Sequence, residues 1–237
     1  LRTSAHIEST EGVEVGLKAG VDTIEHGAPL TDELLKLFKK NGLGNASSLT
    51  CTLSPALPFA VLSPEKTHST HVQKVNGRVV YEGVATATRQ ALANGIPVGL
   101  GTDSACPFVT HYDMWREVVY FQRHTGVTPE FALHTATLKN AQLLGVANET
   151  GSIETGKSAD LIVLDANPLD DLCALRNVEQ VYMAGKPVKY KAKHLPKIDA
   201  ELDGIMDGLD NDPFVSEWNI AEKKKSLNPF AKRGTKE

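Results

Sequence analysis

The sequence lacks any long hydrophobic run. Nothing in it approaches the ~18 consecutive apolar residues of a membrane-spanning helix, so we expect no membrane span. It also lacks the cysteines of a disulfide framework, because its three cysteines are odd in number and lie far apart. We therefore expect a reducing, cytoplasmic environment. An excess of basic residues is absent as well: the formal net charge is −4, which argues against nucleic acid as a partner.

Short apolar segments and helical patterns alternate over the first part of the chain. Of the 237 residues, 41% are hydrophobic, which suits one large domain or two small ones. Strands are predicted over residues 3–7 and 21–24, within 46–53, and from 96 onwards. Helices are predicted around residues 13–19, 31–40 and 80–94, with Thr31 as the cap of the second. This alternation indicates βα units and a parallel sheet. The proline-rich residues 55–64 are predicted to form a surface loop.

The later part of the chain differs in character. Two short helices, broken near residues 135–137, are predicted within residues 128–146. The segments SADLIVLD and VEQVYMAGKPVKY then have the pattern of strands and predict a small, separate β layer. Beyond residue 191 an acidic run is followed by a basic one, which we interpret as a tail that is helical in part and either packs on the surface or stays mobile. These changes divide the chain into residues 1–147, 148–190 and 191–237.

Three chemically suited residues follow predicted strands. His6, His26 and Asp103 each lie at the carboxyl end of a strand, and in a βα barrel these ends share one face. A single histidine beside an apolar run is more often structural, but the ordered set favours a site. Two imidazoles and a carboxylate suit a divalent ion such as zinc. The chemistry predicted from them is hydrolysis by water that the metal activates, with Asp103 as the base.

The motifs that carry these residues resemble the amidohydrolase superfamily. They are AHIESTEGVEVGLKAGVDTIEHG, VGLGTDS, and GSIETGKSADLIVLDANPLDD with VYMAGKPV. The branch they resemble contains imidazolonepropionase-like and Xaa-Pro dipeptidase (prolidase)-like enzymes, over residues 1 to about 190. The resemblance implies an α/β fold: the C-terminal half of a TIM-type (β/α)8 barrel, strands 5 to 8, with part of a small β-sandwich. It also implies that His6 and His26 bind one ion, while Asp103 binds another and acts as the base.

The resemblance is incomplete at its N-terminal side. The His-x-His after the family's first strand and the lysine of its fourth strand have no counterpart here. We therefore expect an N-terminal half of the barrel as a partner, and one or two ions in the complete enzyme. An exposed half-barrel also favours a homo-oligomer. His111, in the loop after the last strand, is expected to contact the substrate because related enzymes often carry a histidine nearby, and Cys106 could line the same pocket.

Two functions remain open at this stage. The first is a metal-dependent hydrolase of amide C–N bonds, acting on a dipeptide or a cyclic amide as its small-molecule substrate and requiring the absent N-terminal half. The second is a catalytically inactive fragment or subunit with a scaffold or interaction role. The other histidines are predicted to serve neither function directly. His68 and His71 are expected in a solvated loop, whereas His124, His134 and His194 are expected to be structural or exposed.

Overall fold

The computed structural model describes residues 2–189 and 192–222, and its first layer is a four-stranded parallel sheet. The strands follow the chain in spatial order β1-β2-β3-β4. They are β1 Ser4–Ile7, β2 Thr23–His26, β3 Ser48–Cys51 and β4 Val98–Leu100. All three pairings are parallel, which confirms the predicted sheet.

The two faces of this sheet differ in polarity. Ile24 and Leu49 are paired across β2 and β3, and both are fully buried beneath helices. The opposite face carries polar side chains that bond to one another. The Ser4 hydroxyl donates to Glu25, and the hydroxyls of Thr23 and Ser48 lie 3.0 Å apart. A two-residue side-chain period explains both faces, because partners in a parallel register point to the same side.

Six helices connect or cover these strands. They are α1 Thr10–Ala19, α2 Asp32–Lys39, α3 Leu57–Val61, α4 Pro64–Thr67, α5 His71–Ala93 and α6 Met114–Thr125. The predicted cap of α2 is confirmed, since the Thr31 hydroxyl accepts from the backbone N–H of Leu34. None of the helices in the described ranges is both long and apolar enough to cross a bilayer. All three cysteines are free.

Residues 55–71 correct two sequence predictions. The proline-rich stretch is not a surface loop, because Leu57 is fully buried in α3, which packs against α5. His71 does not lie in a loop either, since it is the first residue of α5. The signals were a proline at the start of α3 and a capping box in which Thr70 and Gln73 bond reciprocally.

The segment after α6 is helical throughout. It consists of α7 Pro129–His134, a π-helical turn Thr135–Lys139 and α8 Asn140–Leu144. The two predicted short helices are therefore present, and the interruption predicted near residues 135–137 is a π-helical turn, which absorbs an extra residue without ending the helical path. Asn140 at the end of that turn uses its side-chain amide to bond both the N–H and the C=O of Leu100, each at 2.9 Å. This contact fixes the segment against the outer edge of β4.

A second sheet follows, and it is antiparallel. It contains β5 Leu161–Leu164, β6 Val178–Met183 and β7 Lys186–Pro187 in that order. The turn between β6 and β7 places Ala184 and Gly185 in the left-handed region, with φ of 47° and 75°. The predicted strands and their hairpin are thus present. A short 3-10 helix, Leu172–Arg176, separates β5 from β6.

The acidic run beyond residue 191 packs against the preceding helices. It forms α9 Pro196–Gly208, a 3-10 turn Leu209–Asn211 and α10 Pro213–Glu222. Its apolar residues Leu202, Ile205 and Met206 are buried. Its acids pair with basic side chains, as in the 2.8 Å contact between Arg116 and Asp203. The tail was predicted either to pack on the surface or to stay mobile, and residues 196–222 pack on the surface. The basic residues 223–236 lie outside the described residues.

Candidate metal centre

The carboxyl ends of β1 and β2 bring three potential metal ligands together. His6, Glu8 and His26 each offer one ligand atom, and these atoms all lie within 4.8 Å of one another. The two imidazole rings meet edge to face, with their centroids 4.8 Å apart and their planes at 78°. The register pairs His6 with Glu25 and Ile7 with His26, so a regular strand would turn the two imidazoles to opposite faces, and the left-handed backbone at His26 is what brings them together.

The backbone at the end of β2 is adapted to aim His26 at this group. His26 has φ of 66°, a left-handed conformation that non-glycine residues seldom adopt. Gly27 follows with φ of 83°, and a Cβ there would lie 2.7 Å from a methyl carbon of Leu49. The N–H of Gly27 donates to the C=O of Ile7 at 2.9 Å, which ties the turn to β1. The glycine of the His-Gly pair is therefore required by both conformation and space.

The electrostatics of His26 favour its neutral form. Its side chain is buried, with 6% exposure, and this burial lowers the pKa of the imidazole below its usual range. The neighbouring His6 lowers it further, whereas the carboxylates of Glu8, Asp103 and Glu25 oppose the shift. A neutral imidazole has the free lone pair that a metal ligand needs.

Glu8 was missed by the sequence analysis. It lies two residues after His6, so both point to the same side of an extended chain. The signal was therefore available in the tripeptide His6–Ile7–Glu8. It was overlooked because Glu8 follows the last residue of β1 and has the composition of an ordinary polar turn.

Asp103 lies at the same end of the sheet but outside the three-residue group. It follows β4 with a left-handed φ of 53°, and its side chain is exposed. Its carboxylate acts electrostatically on His26 and accepts a hydrogen bond from the Cys106 thiol, at 3.2 Å. Burial, followed by this contact with Asp103, raises the pKa of that thiol and keeps it protonated.

The cluster opens into a pocket of about 230 Å³. Glu8 and His26 form one side of it, and Phe59 and Val80 from α3 and α5 form an apolar side. Thr52, in the chain that follows β3, completes the wall. His111 does not line this pocket. It lines, with Cys106, a second pocket of about 440 Å³, one wall of which is the loop that follows β4.

A buried carboxylate on α6 holds the chain that follows β3. The side chain of Glu117 is completely buried and accepts hydrogen bonds from the N–H groups of Leu53 and Ser54, at 2.7 and 2.9 Å, and from the Ser54 hydroxyl. Burial raises its pKa to about 7, although these donors oppose the shift. Sequence analysis predicted no helix over residues 114–125 and so did not find this residue.

Two of the remaining histidines, His124 and His194, lie far apart in environment. His124 is fully buried, with its ring nitrogens 2.6 Å from the Tyr81 hydroxyl and from the C=O of Tyr120. His194 is exposed and lies 3.3 Å from Asp199. These two positions agree with a structural and an exposed residue, respectively.

The donor set fits a divalent metal by its chemistry. Two imidazoles and one carboxylate are the ligands of many mononuclear zinc centres, which leave a further position for water or substrate. The lowered pKa of His26 leaves its imidazole neutral, and the donor atoms lie within 4.8 Å of one another, as binding of one ion requires. Nitrogen donors favour zinc over magnesium or calcium, which prefer sites made of oxygen atoms alone.

Comparison of the sequence with known protein families identifies the family of this chain. The profile of the amidohydrolase family matches residues 1–188, which include both sheets and all the donor residues. The chain belongs to the amidohydrolase family. The motifs on which the resemblance depended therefore indicated the correct family, and its relatives include the suspected branch.

Three relatives illustrate the match. A solved structure described as a "putative prolidase" from Bifidobacterium longum superposes with a TM-score of 0.84 and 45% identity over 87% of this chain and 51% of that one. A Xaa-Pro dipeptidase with bound methionine in its active site has a TM-score of 0.66 and 29% identity over 80% and 45%. Imidazolonepropionase of Streptococcus sanguinis is 29% identical over 189 residues, 77% of this chain and 38% of that protein. The chain thus spans between 38% and 51% of the length of these relatives.

Proposed function

We propose that this chain supplies the metal-binding part of a metal-dependent amidohydrolase that cleaves amide C–N bonds. The observation that carries the proposal is the group formed by His6, Glu8 and His26 at the carboxyl ends of β1 and β2. Membership of the amidohydrolase family supports the reaction class. The pocket beside the group supports a small-molecule substrate, since it is large enough for a few non-hydrogen atoms next to the ligands.

The residues divide the work according to their chemistry. His6 and His26 hold a divalent ion, for which zinc is the proposed identity, and Glu8 lies beside them as a third donor or as an orienting carboxylate. When bound, such an ion polarises the carbonyl group and lowers the pKa of a water molecule. Asp103 takes the proton of the attacking water, and its exposed carboxylate is free to do so apart from the Cys106 thiol.

The four parallel strands are proposed to be one half of a (β/α)8 barrel. The support is the strand order, the open outer edge of β1 within the described residues, and the fraction of the relatives that the chain spans. The remaining strands would complete the substrate site and supply ligands for a second ion. Dipeptides are the first substrate class to test because two relatives are described as a prolidase and a Xaa-Pro dipeptidase. Cyclic amides are the second, because imidazolonepropionase is also a relative.

Metal analysis of the full-length protein tests the proposal directly. Purified wild-type protein is expected to contain at least one divalent ion per chain. His26→Ala and His6→Ala each remove a ligand and should lower the metal affinity at least ~10-fold, together with the hydrolysis of Xaa-Pro dipeptides. His71→Ala removes an exposed histidine from the start of α5 and is the matched control. Full metal content in both cluster variants would contradict the proposal, and a metal-free wild type would favour the scaffold role.

A further inference from the structure

A second pocket lies between the loop after β4 and the start of α9. Residues 106–112 form one wall, and residues 192–198 form the other. Its volume of about 440 Å³ lies in the range of small-molecule sites. The second wall lies beyond residue 188, where the match to the amidohydrolase family ends. We call this cavity the α9 pocket.

Hydrogen bonds hold the two walls together. The Tyr112 hydroxyl accepts from the N–H of Leu195 and donates to the Asp199 carboxylate, both at 2.9 Å. His194 covers this pair, with its ring centroid 4.3 Å from that of Tyr112 and its Nδ1 3.3 Å from Asp199. The α9 pocket is therefore a fixed feature of the fold, since its walls are joined by specific polar contacts as well as by apolar ones.

The lining of the α9 pocket combines apolar side chains with positive charge. Phe108, Val109, Leu195 and Ile198 provide an apolar surface. Lys193 also lines the cavity, its side chain is exposed, and none of the described carboxylates forms an ion pair with it. An apolar surface beside an unpaired ammonium group is complementary to a ligand with an apolar body and a carboxylate.

The α9 pocket adjoins the candidate catalytic residues. Cys106 lines it, and the thiol of this residue donates to the Asp103 carboxylate at 3.2 Å. Phe108 also lines it and meets Phe59 edge to face, with 6.1 Å between ring centroids. Phe59 lines the pocket that contains His26, so the linings of the two cavities are in contact through this aromatic pair. A molecule bound in the α9 pocket would therefore lie beside Asp103.

We propose that the α9 pocket binds the apolar, carboxylate-bearing end of the substrate. This role rests on the proposed hydrolysis of amide bonds, whereas the binding of such a ligand does not. Phe108 and Ile198 would contact the apolar body, and Lys193 would pair with the carboxylate. The C-terminal segment would then determine substrate specificity, although it lies outside the part of the chain that the family profile matches.

Calorimetric titration with 3-phenylpropanoate tests the site without requiring turnover. The full-length protein is expected to bind this probe and to bind 3-phenylpropanamide, its uncharged analogue, about three- to fivefold more weakly. Acetate should bind more weakly than either, because it lacks the apolar body. Equal affinity for all three probes, or no binding of any, would overturn the proposal.

Substitutions in the segment that leads into α9 provide the matched comparison. Leu195→Asp places a negative charge on the wall of the α9 pocket, where it repels the carboxylate of 3-phenylpropanoate. This variant should bind the probe at least ~10-fold more weakly, whereas Leu195→Met should not. Leu195 is half exposed, and the bond to Tyr112 uses its backbone N–H, so neither variant should unfold the wall. Lys193→Gln should lower the affinity about three- to fivefold. Its control is Lys197→Gln, in the first turn of α9 and outside the pocket lining.

Kinetics separate this proposal from the proposed function. For Xaa-Pro dipeptides, Leu195→Asp is expected to raise KM at least ~10-fold with little change in kcat. His6→Ala should abolish turnover yet leave the binding of 3-phenylpropanoate intact. Binding of 3-phenylpropanoate that responds to the Leu195 and Lys193 variants, in a protein without hydrolase activity, would uphold the site and refute the proposed function. An active hydrolase whose KM is unchanged by Leu195→Asp would uphold the proposed function and refute the α9 pocket as a substrate site.

Discussion

At the scale of single residues, Glu117 is the clearest case of a side chain under opposing forces. Three donors from Leu53 and Ser54 favour its carboxylate form, but complete burial outweighs them and raises its pKa to about 7. The unfolded chain has a pKa near 4.5 for this group. Between pH 4.5 and 7 the unfolded chain therefore loses its proton first, so this contribution to stability is present at low pH and is lost as the pH rises.

Glu117→Gln should remove this pH dependence. The free energy of unfolding of the wild type, relative to the variant, should fall by about 3 kcal/mol between pH 4.5 and 8. Urea unfolding of both proteins across this range measures the difference. His124, whose pKa burial lowers to about 4, destabilises the fold as the pH falls below 6.5, but it is common to both proteins and cancels. Glu33→Gln, at an exposed position on α2, controls for loss of a carboxyl group, and a constant difference would contradict the prediction.

Substitution of Asp103 and substitution of either histidine should have different effects on metal content and on the rate of hydrolysis. Asp103→Asn keeps the size of the side chain but removes its charge and basicity, so proton transfer should suffer most. We expect a loss of ~100- to 10,000-fold in kcat in the full-length protein, with more metal retained than in His6→Ala or His26→Ala. Metal analysis beside steady-state rates measures both quantities. Near-normal turnover in Asp103→Asn would show that another group is the base.

At the scale of elements, the predicted strands succeeded because each is a short apolar run with a clear boundary. The predictions from residues 55 to 80 failed because proline was interpreted as a breaker, although at the first turn of α3 it is compatible with a helix. The site shows the same division. His6 and His26 could be found because each lies at the carboxyl end of a short apolar strand. Glu117, in contrast, acts from α6 on Leu53 and Ser54, more than 60 residues away. Such a pairing has no local signal in the sequence.

The helix α9 offers a test of whether the C-terminal segment contributes to stability. Ile205 lies on its buried face with 5% exposure, so Ile205→Ala should lower the free energy of unfolding by about 2–4 kcal/mol. Ile153 is 87% exposed, and Ile153→Ala provides a control with the same chemical change and little expected effect. Denaturant unfolding of both variants measures the difference. Equal stabilities would show that α9 packs too loosely to contribute.

At the scale of the whole molecule, the fold has two surfaces that globular proteins usually cover. Parallel sheets normally have both faces and both edges protected. Here Asn140 occupies part of the outer edge of β4, but no described residue pairs with the outer edge of β1. The second sheet also exposes apolar side chains, with Ile162 at 50% and Met183 at 63%. Both surfaces are located where further strands of the proposed barrel and sandwich would pair.

These surfaces predict that residues 1–237 alone are a poor catalyst. Produced without further segments, the chain should bind divalent metal through His6 and His26 but hydrolyse Xaa-Pro dipeptides at least ~100-fold more slowly than ordinary enzyme rates of ~1 to 1000 per second. It should also self-associate, because the edge of β1 and the face of the β5–β7 sheet remain open. Steady-state kinetics and light scattering, beside the full-length protein prepared in the same way, measure both properties. A monomeric chain with ordinary turnover would mean that four strands suffice, and the ligands for catalysis would then have to lie within this sequence.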